Sequence, residues 1–105
     1  MTTDVKTMTA TARVPLSAPR RYLGQLCKHF AHKIEANWAE DYSSGRIAFP
    51  MGPCDLTADE AAGELLMQVS AAGEGDLSRL EGVVARHLER FAFREGFTAM
   101  DWTDA

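Results

Sequence analysis

At 105 residues the chain is long enough for one hydrophobic core and too short for two, and with 46% hydrophobic and 25% charged residues it resembles an ordinary globular domain, neither a disordered chain nor a fibrous repeat. No apolar run approaches the roughly 20 residues that cross a bilayer, and the threonine-rich start lacks the basic-then-apolar layout of a secretory signal. The net charge of −4 argues against a nucleic-acid binder, so the sequence points to a cytoplasmic domain with no membrane and no nucleic-acid partner.

Residues 1–8 are polar and featureless and are expected to form a disordered N-terminal segment, ahead of a single domain over residues 9–105. From Thr9 to Leu16, Ala10, Ala12, Val14 and Leu16 alternate with Thr9, Thr11 and Arg13, which predicts a half-buried strand. Ser17 then offers an N-cap hydroxyl and Pro19 suits a first helical turn. Tyr22, Leu23, Leu26, Cys27, Phe30, Ala31 and Ile34 follow at the steps of one helical stripe.

Ile34, Ala36 and Trp38 alternate again, the Tyr42-Ser43-Ser44-Gly45 segment turns the chain, and Ile47, Phe49 and Met51 share a face, so a β-hairpin is predicted. Pro50, Gly52 and Pro53 end its second strand, Cys54 to Thr57 adds a short one, and Ala58 to Gly63 reads as a turn. Leu65, Met67, Val69 and Ala71 mark a further strand. The Gly73-Glu74-Gly75 break leads to Asp76 as the cap of a second helix with stripe Leu77, Leu80, Val84, Leu88 and Phe91. Gly96 stops that helix, and Phe97 to Trp102 alternates in a closing strand. The predicted class is α+β, a mostly antiparallel sheet of about five strands with two amphipathic helices on one face, in the order β-α-β-β-(β)-β-α-β.

Cys27 and Cys54 form neither a disulfide framework nor a metal-spaced set, and both are read as reduced thiols. With about 100° per residue, Cys27 and His29 lie on opposite sides of the apolar stripe, which counts against a Cys-His catalytic pair. His29 sits on the stripe's edge, with His32 about 60° further toward solvent; two such ligands do not complete a metal site. In the second helix His87, Arg90 and Arg94 follow at three- and four-residue steps along one edge of the stripe. Guanidinium groups with an imidazole can hold a carboxylate or phosphate, and the same geometry also serves an internal ion pair with Glu89, Glu95 or the acidic strands. No Walker loop, nucleophile elbow or distinct carboxylate pair occurs, so no enzymatic activity is supported.

Charge is uneven: up to Lys33 there are six Lys/Arg and one acid, after it five Lys/Arg and fourteen acids. The basic first helix either balances the acidic remainder within the fold or recruits an anion or acidic partner.

Three motifs carry a family resemblance: Arg21-Tyr22-Leu23-x-x-Leu26-Cys27-Lys28-His29-Phe30-x-His32-Lys33, then Gly45-x-Ile47-x-Phe49 with Cys54, then His87-Leu88-x-Arg90-Phe91-x-Phe93-Arg94-Glu95. From about Thr11 to Trp102 the chain resembles the bacterial domain-of-unknown-function family 2218. That resemblance implies a small stand-alone domain, with similar members sometimes attached to siderophore-interacting flavin reductases, and hence a weak link to iron handling.

The expected function is a non-catalytic binding module for a small anion, placed where the His29 edge of the first helix meets the second. Its candidate residues are His29, His87, Arg90, Arg94, Lys33 and Tyr22, with no catalytic residue, metal or cofactor. The resemblance adds an iron-linked siderophore as ligand and a siderophore-interacting reductase as partner. The alternative is a protein-interaction domain docking an acidic partner through its basic first helix; a metal- or haem-dependent enzyme using His29, His32, His87 or Cys27 ranks third.

Overall fold

A computed structural model describes residues 8–95 and 102–104. Strand β1 (Met8–Pro15) is followed by helix α1 (Pro19–Ala31), strands β2 (Ala36–Trp38), β3 (Ser44–Phe49), β4 (Gly52–Asp59) and β5 (Glu64–Ala71), helix α2 (Glu74–Phe91), a short 3-10 turn (Phe93–Glu95) and strand β6 (Trp102–Asp104). The fold is α+β with one six-stranded antiparallel sheet in the order β2-β3-β4-β5-β1-β6.

The period-two pattern places the core. Register aligns Ile47, Cys54, Val69 and Ala10 across four strands, then Leu56, Met67 and Ala12, then Ala58, Leu65 and Val14, and all of them are buried. Both helices cover this face. From α1 come Leu23, Leu26, Cys27 and Phe30, and from α2 Leu77, Leu80, Val84 and Leu88. The opposite face carries the row Asn37, Arg46, Asp55, Gln68, Thr11 and Thr103, with Arg46 and Asp55 paired at 3.0 Å. Polar side chains on the uncovered face are what an antiparallel sheet with one wet side requires.

The structure corrects several boundaries. Ser17 does not cap α1; the N-cap is Ala18, without a side-chain cap bond. The Ser17 hydroxyl and amide instead donate to the Glu95 carboxylate at 2.6 and 2.9 Å, and a charged acceptor makes the stronger bond. The first turn of α1 is served from across the chain, where Glu60 Oε2 accepts from the amide of exposed Arg20 at 2.9 Å, putting negative charge at the positive end of the helix dipole. Asp76 does not cap α2 either. Extended Gly73 is the N-cap, and Asp76 joins Glu74 in the first turn, where acidic side chains favour the dipole without making the cap.

Strand β4 runs on through Ala58 to Asp59, leaving only residues 60–63 as turn, because Ala58 is small enough to continue the buried Leu65–Val14 row. Ala31, expected in the buried stripe, is exposed, since α1 ends there and Ile34 closes the last turn through its amide to the Phe30 carbonyl. Of the expected closing strand, Phe97 to Asp101 lie outside the described residues, as do the Gly96 stop and residues 1–7; Trp102 begins β6, which pairs with β1.

Gly24, inside α1, would ordinarily weaken a helix. A β-carbon there would stand 2.9 Å from the Tyr42 ring, so the missing side chain is what lets that ring lie against α1. Lys28 then places its ammonium 4.8 Å from the same ring's centre, a cation–π contact.

Candidate functional site

The two helices pack antiparallel, because Tyr22 near the start of α1 meets Glu95 after α2, while His29 near the end of α1 meets His87, earlier in the chain and one turn before α2 ends. The seam between them therefore has two ends of different chemistry.

At one end Glu95 is fully engaged. Its carboxylate accepts from the Ser17 amide and hydroxyl and from the Tyr22 hydroxyl, the last at 3.0 Å. The Ser17 bonds foremost, with the Tyr22 bond adding to them, hold the Glu95 carboxyl below its usual range. Burial, then the Glu95 bond, raises the Tyr22 phenol above its ordinary value. Tyr22, a candidate ligand contact in the sequence, is buried here with its hydroxyl given to a neighbour. Arg94 belongs to this end too. Helix α2 stops at Phe91, so Arg94 falls in the 3-10 turn instead of continuing the His87–Arg90 edge, and its guanidinium stands 5.5 Å from the centre of the exposed Phe93 ring.

The latch has a pH consequence. A carboxyl whose folded pKa is depressed stabilises fully above its unfolded value, near 4.5, and loses that contribution as the pH falls through the lower folded value. The E95Q variant is expected to melt at a lower temperature than the parent at pH 7, with the difference shrinking as the pH drops below about 4; thermal scans followed by circular dichroism across that range check it.

The other end brings the histidines together. The His29 and His87 ring centroids are 5.2 Å apart at 47°. Phe30 lies 4.7 Å from His87 and meets His29 edge-on at 5.1 Å, and Phe91 meets His29 edge-on at 5.5 Å. Behind Phe30 stands Phe49 of β3, edge-on at 4.8 Å. The Phe30–Phe49 pair contributes about 0.5–1.5 kcal/mol beyond its buried area.

His87 Nδ1 is 2.7 Å from the Val83 carbonyl one turn back. A carbonyl only accepts, so Nδ1 carries the proton and Nε2 is the acceptor of the neutral ring. Desolvation first, then the neighbouring His87, Lys33, His32 and Arg90, lower the His29 pKa from 6.5. Every named neighbour is cationic or can become so. Arg90 and Lys33 are exposed, and Arg86, His87, Glu89 and Arg90 line a depression on α2. Among the described residues the ion pairs are Arg13–Glu64 and Arg46–Asp55, so the expected alternative of an internal ion pair from Arg90 or Arg94 to Glu89 or Glu95 is not formed there.

Of the six candidates, His29, His87, Arg90 and Lys33 thus gather at one end of the seam, while Tyr22 and Arg94 lie toward the Glu95 latch. Sequence reasoning missed the Val83 carbonyl, although its four-residue step before His87 is a legible helical signal, and it read Phe30 and Phe91 as stripe residues alone. Arg86 was not singled out. The thiols take no part: Cys27 is buried and its pKa is pushed up to about 11 by burial, while Cys54 is raised further, mainly by burial and then by Asp55 and Cys27. No group of three or more metal-ligating side chains occurs among the described residues, and no helix among them is long and apolar enough to cross a membrane.

Over residues 11–103 the chain matches the model of domain-of-unknown-function family 2218, described as uncharacterized proteins conserved in bacteria, and it belongs to that family. Among solved structures it is similar to the NMR structure of PA4090 from Pseudomonas aeruginosa, with 28% sequence identity and a TM-score of 0.72 over 93% of this chain and 95% of that one. No match was found among curated proteins.

Proposed function

We propose that this domain is a non-catalytic binding module for a small anion, held at the His29–His87 end of the helix seam by the two imidazoles, Arg90 and Lys33. One observation carries the reading: two imidazoles packed ring to ring share their surroundings with a guanidinium that makes no ion pair among the described residues. Glu89 is the acid that lines the same depression, and a ligand of opposite charge offsets the cationic donors beyond it. The same positive surroundings disfavour a bare metal cation at the two imidazoles. Protonated, buried thiols offer no nucleophile at neutral pH, which supports a binding role over a catalytic one.

The family resemblance extends the proposal to iron-linked anions, namely carboxylate- or catecholate-bearing siderophores, and to a siderophore-interacting reductase as partner. A cytoplasmic setting belongs to the same reading and is supported by the two free cysteines.

An amide NMR titration with citrate, sulfate, and ferric and iron-free siderophores tests it. The expected result is saturable shifts confined to the end of α1 and the last turns of α2. The R90Q variant is expected to weaken that binding ten- to a hundredfold, the worth of a charge-assisted hydrogen bond of about 1.5–3 kcal/mol. No response to any anion would sink the reading. Salt-sensitive binding of an acidic protein through α1 would then put the docking alternative in its place.

A further inference from the structure

We propose that the seam takes an oxyanion carrying at least two negative charges, and that the His29–His87 pair takes up one proton from solvent as the anion binds. The proposal deepens the anion-binding reading and rests on it. Its geometry begins with the ring centroids at 5.2 Å. Two nitrogens on rings so placed lie within the span of a single oxyanion, which bridges donors through two bonds of about 2.8 Å each.

The Val83 carbonyl decides which atom is free. By holding His87 Nδ1–H at 2.7 Å it leaves Nε2 as an acceptor in the neutral ring. An oxyanion oxygen is also an acceptor, so the two repel until a proton arrives; protonated Nε2 donates to the anion instead. The proton passes from solvent to an imidazole nitrogen, the anion keeps its own charge, and no covalent bond changes.

Burial and cationic neighbours disfavour a proton on His29 until an anion is present. On α1, His32 and Lys33 stand beside His29; on α2, Arg90 faces His29 as well, and Arg86 and Glu89 flank His87. From the sheet, Phe49 of β3 stands behind Phe30. Glu89 lines the α2 depression beside Arg86 and Arg90, and Lys33 and Arg90 add to the disfavour of a positive charge on His29 until an anion offsets it. A monovalent anion offsets the Arg90 charge alone, whereas a second negative charge is what draws the proton.

Sulfate is the probe, because it does not itself titrate across the range in which imidazoles do. Its dissociation constant is measured by calorimetry between about pH 5.5 and 8.5, in buffers of different ionisation enthalpy. The expected result is a constant that rises about tenfold per pH unit over at least one unit, with about one proton taken up per sulfate bound. Nitrate is expected to bind more weakly, with little proton uptake.

The H29Q/H87Q double variant removes both imidazoles that could take the proton and is expected to flatten the pH profile while sulfate still binds through Arg90, with circular dichroism showing that the fold is kept. An unchanged profile in the folded double variant would overturn the proposal by attributing the pH dependence to the general charge of the domain. Sulfate binding with a flat profile in the parent would overturn the proton uptake and leave the anion site standing. No sulfate binding at any pH would overturn the anion site and this proposal together.

Discussion

Replacing Gly52 with alanine is expected to leave too little folded protein to measure. Gly52 opens β4 at φ +152°, in a backbone region that side chains rarely adopt, and a β-carbon there would stand 1.8 Å from the Ser70 carbonyl oxygen and 2.9 Å from its carbon. Both atoms are backbone, so no rotamer can relieve the clash. Strands β4 and β5 would have to part next to the Cys54–Val69 pair, which belongs to the buried rows. Backbone strain of about 1–3 kcal/mol adds to the steric cost, against a total stability of about 5–15 kcal/mol. Gly52 also pairs with Phe49, whose ring backs Phe30 beneath the histidines, so the damage reaches the site. Soluble yield and urea denaturation check it; a G52A variant within about 1 kcal/mol of the parent would mean that β4 and β5 do not approach this closely.

How much of this was legible in the sequence depends on which physics wrote each element. Strands β1 and β5 alternate strictly because each has one wet and one dry face, and the α1 and α2 stripes repeat because each helix buries one side, so all four could be read directly. The caps could not. Ser17 and Asp76 have the right chemistry for capping, but Ser17 is taken by Glu95, 78 positions away, and α2 begins at Glu74 because Gly73 already supplies the extended cap. Long-range partners leave no periodic trace.

The same holds for the candidate site. Placing His29 and His87 each at the edge of an apolar stripe was within reach of spacing alone, but their ring contact depends on the antiparallel crossing of two helices separated by four strands. Spacing carries Arg94 onto the His87 edge only on a helix that continues, whereas α2 ends at Phe91, and it puts Tyr22 beside His29 in α1 without any sign of its hydroxyl partner, Glu95. Conversely, Phe30 was given only a packing role, although it touches both histidines.

That double role makes Phe30 the place where core and candidate site can be separated. Phe30 is 9% exposed, lies edge-on to Phe49 at 4.8 Å and stands 4.7 Å from His87. Truncation to alanine removes the ring and leaves a cavity between α1, α2 and β3, at an expected cost of about 3–5 kcal/mol. Such a loss is a large part of a stability of about 5–15 kcal/mol, so F30A is expected to unfold at a much lower urea concentration than the parent. F30L refills most of the volume and is expected to recover most of that stability, since hydrophobic replacements of similar size are tolerated best. Leucine has no ring edge or face to fix the two imidazoles, however, so F30L is expected to bind sulfate several-fold more weakly than the parent while remaining folded. Parent-like affinity in a folded F30L would show that the imidazoles are held by Val83, Phe91 and the helix crossing alone, and that Phe30 serves the core and not the site.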